Sequence, residues 1–282
     1  MNILVGLLKA LNRLFPRVEH PFNLQNQGKM SYAQWQYRWG GKTVECFAPQ
    51  FTPEDIFGGK TVLDMGCGAS GKSLYYLSIG AKRVVGVDIV ERYQAEAEAF
   101  ARELGFEDRF TFLLGDALHL PLEPDTFDAI IMNDFMEHIH DPEGALREAL
   151  RVLKPGGRVY INFPPYYHPT GIHMSDVIGI PWVHLLFPER TLIAAYKDLV
   201  RGLPDEDERL SLRFGTDGNG RETITYLNRM TIRKFQKLLR DMELVPYAYR
   251  ELPLRRYFAL PAKLPVLKEL FVKMCVCVIE KV

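Results

Sequence analysis

The stretch VLDMGCGASGKS (62–73) decides how this 282-residue chain folds. TVLDM (61–65) is short and apolar apart from Asp64, as a buried strand is. Gly66, Gly68 and Gly71 then permit a tight turn, and a helix is expected near 70–79. Downstream, the same alternation continues. RVVGVD (83–88), RFTFLLGD (109–116), FDAIIMND (127–134) and RVYINFP (158–164) read as strands, with helices expected over 91–104 and 142–153. LKPGG (153–157) is expected to end the last of these helices, with Gly156 in the left-handed cap and Pro155 blocking continuation. Strands alternating with helices predict a parallel sheet wrapped by helices. For about sixty residues after Pro164 the alternation stops, and TIRKFQKLLRDM (231–242) resumes as a helix. ELVPYAYREL and KMCVCVIEK supply two further strands, and Cys275 and Cys277 fall on one face of the second.

The loop Gly66-Cys67-Gly68-Ala69-Ser70-Gly71-Lys72-Ser73 fits two patterns at once: GxGxxG of dinucleotide folds and GxxxxGKS of phosphate-binding loops. Both cradle phosphate on backbone N–H groups at a helix N-terminus. Asp134, just after an apolar run, even mimics the second hallmark of a P-loop nucleotide hydrolase. Charge at the strand ends separates the readings. Ligands of open parallel sheets lie outside the carboxyl ends of the strands, and those ends carry Asp64, Asp88 and Asp116. Like charges about 4 Å apart repel by about 4 kcal/mol at an effective dielectric of 20. A polyphosphate is therefore disfavoured, and a cationic ligand is favoured.

At these residues the chain resembles the class I S-adenosylmethionine-dependent methyltransferases, especially the small-molecule, type 11-like branch. The resemblance runs through VLDMGCGASG (62–71), VVGVD (84–88), LLGDALHLPL (113–122), FDAIIMNDFMEHIHDP (127–142) and LREALRVLKPGG (146–157), in order and spacing over about a hundred residues. It implies an α/β, Rossmann-like, seven-stranded, mostly parallel sheet with helices on both faces and the last strands antiparallel. It also implies S-adenosyl-L-methionine as cofactor, a ligand with a sulfonium, an ammonium and no phosphate. By resemblance, Gly66, Cys67 and Gly68 would let the backbone approach the methionine part, and Asp64 would order its ammonium end. Asp88 would accept both ribose hydroxyls and Ile89 would pack on adenine. Asp116, with the Ala117 backbone beside it, would receive the adenine amino group, and Asn133 would line the reactive methyl.

Methyl transfer from a sulfonium is an in-line displacement, which alignment can favour by about 7–11 kcal/mol. A positioned base contributes less, about 10²–10⁴-fold, and matters most for a hydroxyl acceptor. O-methylation of a small molecule is therefore the expected reaction, with carbon and nitrogen acceptors open. His138 is the candidate base, against a turn-stabilising role. His168, His173 and His184, in YYHPTGIHMSDVIGIPWVHLLFPER (166–190), suggest an acceptor-side lid over about 164–228. Their linear spacing is not that of a recognised metal site, so no metal is expected. Ile178, Ile180, Trp182, Leu185, Leu186 and Phe187 fit either a lipophilic acceptor or a packed lid. The segment SYAQWQYRWGG (31–41), with Tyr32, Trp35, Tyr37, Arg38 and Trp39, would close over the cofactor or cap the sheet edge.

Composition narrows the remaining classes. With 35 Lys+Arg against 35 Asp+Glu, the net charge is zero, which removes the usual footprint of a nucleic-acid binder. At 47% hydrophobic and 25% charged, the chain is an ordinary globular one. Four cysteines without CxxC pairing point to a reducing, cytoplasmic setting. The organisation expected is an N-terminal helical extension or cap (1–45) and a methyltransferase domain (46–282). The N-terminal MNILVGLLKALNRLFPR reads as an amphipathic helix, and it and LRRYFALPAKLPVLKELFVKM (254–274) mix apolar with basic residues. Both fit an interfacial anchor at a membrane periphery or an internal or subunit packing face. Oligomeric state and acceptor identity are not readable. A non-catalytic, methyltransferase-like scaffold is the alternative outside the enzyme classes.

Overall fold

The computed structural model describes residues 3–15, 19–48, 50–265 and 267–282. The N-terminal extension and the basic segment 254–274 each contain residues outside this set. The elements, in chain order, are α1 (Ile3–Asn12), α2 (Pro21–Asn26), α3 (Tyr32–Glu45), α4 (Pro53–Phe57), β1 (Thr61–Met65), α5 (Gly71–Ser78), β2 (Arg83–Asp88), α6 (Arg92–Glu103), β3 (Phe110–Leu114), β4 (Phe127–Asn133), α7 (Pro142–Val152) and β5 (Leu153–Phe163). There follow α8 (Val183–Leu186), α9 (Glu189–Val200), α10 (Glu206–Arg213), β6 (Phe214–Thr216), β7 (Glu222–Ile224), α11 (Ile232–Asp241), β8 (Ala248–Pro253), α12 (Lys268–Phe271) and β9 (Val272–Glu280).

Seven strands form one sheet in the order β3-β2-β1-β4-β5-β9-β8. The first five are mutually parallel, and β9 runs antiparallel to both β5 and β8. Strand alternation divides the core. Leu63, Met65, Val85, Val87, Ile130, Met132, Cys275 and Cys277 pack on one face with α7 and α11 residues such as Leu146 and Phe235. Val62, Val84, Ala129, Ile131 and Val276 pack on the other with Leu74 and Tyr76 of α5, Ala97 of α6 and Ala33 of α3. Asp64 shares the face of Val62 by the same period of two, so it points at α5 rather than at solvent.

One local expectation is corrected. α7 ends at Val152, before LKPGG, because Leu153 is already extended (ψ 137°). Gly156 does adopt a positive φ of 74°, but its N–H donates to the Lys281 carbonyl. The glycine lies within β5 and ties it to the residue just after β9; it does not cap the helix.

Residues 164–228 are not an irregular loop. They carry α8, α9, α10 and the β6–β7 hairpin around a hydrophobic cluster separate from the two sheet faces. Val5 and Leu8 of α1 complete that cluster, Lys9 pairs with Asp198 at 2.9 Å, and Asn12 bonds the backbone at Val177 and Gly179. The inner stripe of the amphipathic N-terminal helix is thus packed on the insertion, leaving Ile3 and Leu7 outside.

Candidate active site

Strand order reverses between β1 and β4, and a cavity of about 650 Å³ opens at the carboxyl ends of β1–β4. Asp64, Gly66, Cys67, Gly68, Asp88, Ile89, Asp116, Ala117 and Asn133 all line it, as do His138 and His173. Residues as far apart as Asp64 and Asn133 are brought together because parallel strands all end on the same edge.

The glycine loop is built by close approach. Gly66 and Gly68 have φ of 74° and 56°, backbone that favours glycine. A Cβ at Gly66 would lie 2.4 Å from the Phe135 ring. Gly86, inside β2, lets the loop settle on that strand: a Cβ there would lie 2.9 Å from Cys67 Sγ. The N–H groups of Gly66 and Cys67 donate to the Val87 carbonyl. From above, α3 clamps the loop, since Gln36 Nε2 donates to the Cys67 carbonyl at 3.1 Å and its Oε1 accepts from Gly71 N–H at 3.1 Å. Segment 31–41 therefore does lie on the loop, and Tyr32 and Trp35 reach the cavity while Tyr37, Arg38 and Trp39 do not. Sequence reading missed Gln36, although it lies one helical turn beyond Tyr32, a position that shares a face with it.

The three acids differ in their surroundings. Asp64 is buried and accepts the Ser73 hydroxyl at 2.6 Å. Burial pushes its pKa up to about 6, against the pull of Ser73 and of Lys72. Asp88 accepts Gly68 N–H at 2.8 Å on one oxygen and Val90 N–H at 2.9 Å on the other. Its pKa is also raised by burial. Asp116 lies beyond the end of β3 at Leu114, in the turn, and accepts Leu118 N–H at 2.9 Å. Each carboxylate oxygen has a second lone pair, so Asp88 and Asp116 are oriented by the backbone and still able to accept from a ligand. Ile89 is 72% exposed beside Asp88, an apolar surface at the cavity mouth.

Lys72 is more than a helix N-terminal residue: its Nζ lies 3.2 Å from Asp134, which sits at φ 49° and also accepts Asn133 Nδ2 at 2.8 Å. The lysine and aspartate that mimic a phosphate site are thus spent on each other. The residues fit S-adenosylmethionine instead: a carboxylate-lined cavity, a glycine cradle, and the buried indole N–H of Trp35, which has no partner and lies in the cavity wall.

Histidines also gather in the cavity wall. His138 Nδ1 lies 2.9 Å from the Tyr226 carbonyl. A carbonyl only accepts, so Nδ1 carries the proton and a neutral ring presents its Nε2 lone pair. His173, at φ 54°, packs edge-on against it with ring centroids 4.9 Å apart. Burial holds both pKa values below the ordinary range, His173 further through His138 itself. His20 of the N-terminal segment also lines the cavity, held down to about 4 by burial. His168 and His184 are not among the lining residues. His168 Nδ1 is 3.1 Å from the Thr170 hydroxyl, and His184 packs against Tyr166. Ile178, Ile180 and Phe187 are buried in the core of the insertion, Trp182 packs on Phe271 and Leu185 and Leu186 are exposed; none of the six lines the cavity. Arg213 and Tyr226, which sequence reading passed over, complete the wall.

The sheet order and the acid-lined, glycine-cradled cavity define the Rossmann-like methyltransferase class. A methyltransferase-domain family model matches residues 63–161. The chain is 30% identical to a ubiquinone biosynthesis O-methyltransferase of Pseudomonas fluorescens (strain SBW25), over 66% of this chain and 75% of that protein. It is 37% identical to methyltransferase GfsG of Streptomyces halstedii over 38% of each. The structure of geranyl diphosphate C-methyltransferase from Streptomyces coelicolor A3(2) superposes with a TM-score of 0.54 at 16% identity, covering 88% of this chain and 77% of that one. The chain belongs to the class I S-adenosylmethionine-dependent methyltransferases. Its matches span between 35% and 66% of the length of three curated relatives, GfsG included.

Proposed function

We propose that this protein methylates a hydroxyl group of a small, lipophilic molecule. The observation that carries the reading is one cavity lined both by strand-end carboxylates and by a neutral imidazole pair. S-adenosylmethionine supplies the electrophilic methyl when bound. Asp64 would hold the ammonium end, Asp88 the ribose, and Asp116 with Ala117 the adenine, while Asn133 is held at the end of β4 by Asn162 Nδ2 at 2.9 Å. His138, its Nδ1 proton committed to Tyr226, offers Nε2 to an acceptor hydroxyl and is the candidate base. The insertion that carries His173 would act as the acceptor-side lid. The O-methyltransferase among the relatives supports oxygen as the methylated atom.

Exposed apolar residues support a lipophilic source for the acceptor. Ile3, Leu7, Leu14 and Phe15 lie on or just after α1, and Tyr257, Leu260 and Leu264 stand among exposed Arg255, Arg256 and Lys263. Such a surface suits peripheral contact with an anionic membrane. Among the described residues, no helix is long and apolar enough to cross one.

The test is transfer of labelled methyl from S-adenosylmethionine to a panel of phenols, quinols and amines with and without apolar tails. Hydroxyl products, lost in His138→Ala with unchanged affinity for S-adenosylhomocysteine, are expected. Cofactor binding without transfer to any acceptor would leave a scaffold, and tight ATP–magnesium binding in place of the cofactor would overturn the reading.

A further inference from the structure

Glu137 is 2% exposed, and neither carboxylate oxygen has a hydrogen-bond partner. A buried acid in that condition forfeits several hydrogen bonds that water would have supplied. Its Oε1 lies 3.8 Å from His138 Nε2 and 4.0 Å from His173 Nε2. The three ligand atoms lie within 4.8 Å of one another. A cation holding nitrogen and oxygen at about 2.0–2.2 Å requires ligand atoms about 3.3 Å apart in tetrahedral geometry. Closing the observed gaps needs side-chain movements of only about half an ångström.

We propose that Glu137, His138 and His173 bind a divalent transition cation of the zinc class at the acceptor end of the cavity. Two imidazole nitrogens and one carboxylate favour such an ion over magnesium, which prefers an all-oxygen shell. Three further observations converge. The His138 Nδ1–H donates to the Tyr226 carbonyl, the outer contact that fixes a metal-ligating histidine with Nε2 free. His173 is held at φ 54°, and strained backbone of this kind clusters at ligand sites. Both histidines line the cavity while Glu137 stands behind them, so open coordination positions face the acceptor. A distance of 35 residues between His138 and His173 hides the set from any reading of linear spacing.

This deepens the hydroxyl-methylation reading and rests on it only for the acceptor's place. With a cation bound, both Nε2 lone pairs are occupied, and acidifying the acceptor hydroxyl passes from His138 to the cation. Chelator-treated full-length protein should be titrated with Co²⁺, followed by its visible ligand-field spectrum, and with Zn²⁺ by calorimetry. One equivalent per chain is expected, with affinity falling at least about tenfold in Glu137→Gln and in His173→Ala. Glu137→Gln is isosteric, and unchanged S-adenosylhomocysteine binding verifies its fold. Absence of stoichiometric binding, or equal affinity in the wild type and both variants, overturns the cation site. Methyl transfer that persists in chelator and still needs His138 would also overturn it, while leaving the base reading intact.

Discussion

Asp64 allows the cofactor reading to be tested by pH alone. The carboxyl is buried with one hydroxyl partner, Ser73, and a pKa of about 6 against 3.8 for the free side chain. Between those values the folded chain binds the extra proton. Stability of the ligand-free protein should therefore fall as pH rises from 3.8 through 6, by about 3 kcal/mol in all. A bound ammonium favours the ionised carboxylate, so the cofactor must displace that proton wherever it is still held. At pH 5 about one Asp64 in ten is ionised and at pH 7 about nine in ten, so affinity should rise about tenfold between them. Asp88 shares the pocket and is also raised by burial, so the Asp64→Asn variant assigns the proton, while His20, at about 4, lies below the interval. The assay is calorimetric titration with S-adenosylhomocysteine in buffers of different ionisation enthalpy, which counts released protons. Close to one proton should leave per ligand at pH 5 and close to none at pH 7. Asp64→Asn should abolish the release, weaken binding at pH 7 and stabilise the ligand-free protein there. Equal affinity and equal proton release at both pH values, in a folded wild-type protein, would refute the reasoning.

Four further outcomes follow from the loop and the cavity wall. Gly71→Ala places a Cβ 1.9 Å from the Ala33 carbonyl and 2.6 Å from Tyr37 N; urea unfolding should show a loss of about 1–3 kcal/mol or more as α3 is pushed off. Gln36→Ala removes both clamps on the loop and should cost about 1–3 kcal/mol, with weaker S-adenosylhomocysteine binding by calorimetry. Asp88→Ala should weaken that binding by about 1–3 kcal/mol through two lost ribose hydrogen bonds, with little effect on acceptor-side variants measured in parallel. His168→Ala and His184→Ala should leave cofactor affinity unchanged in the same assay, since neither residue lines the cavity.

What the chain determines locally was legible from it. Apolar runs of strand length placed all seven strands of the sheet, the first four closed by glycine or aspartate, and β1 and β2 to the residue. Loop glycines and strand-end acids carry their meaning in sequence because parallel strands must end on a common edge, so Asp64, Asp88 and Asp116 converge however the rest packs. Three kinds of information belong to the tertiary structure. The role of Lys72 depends on Asp134, 62 residues away, and only the pairing shows that the phosphate-loop pattern has no free cation. Which histidines matter depends on how the insertion folds: one φ of 54° turns His173 into the cavity, while His168 and His184 turn elsewhere. Glu137 looks like any acid in a turn until burial strips its oxygens of water. Periodicity and backbone freedom act over a few residues and are written in order along the chain, whereas burial and the meeting of distant side chains are set only when the layers close.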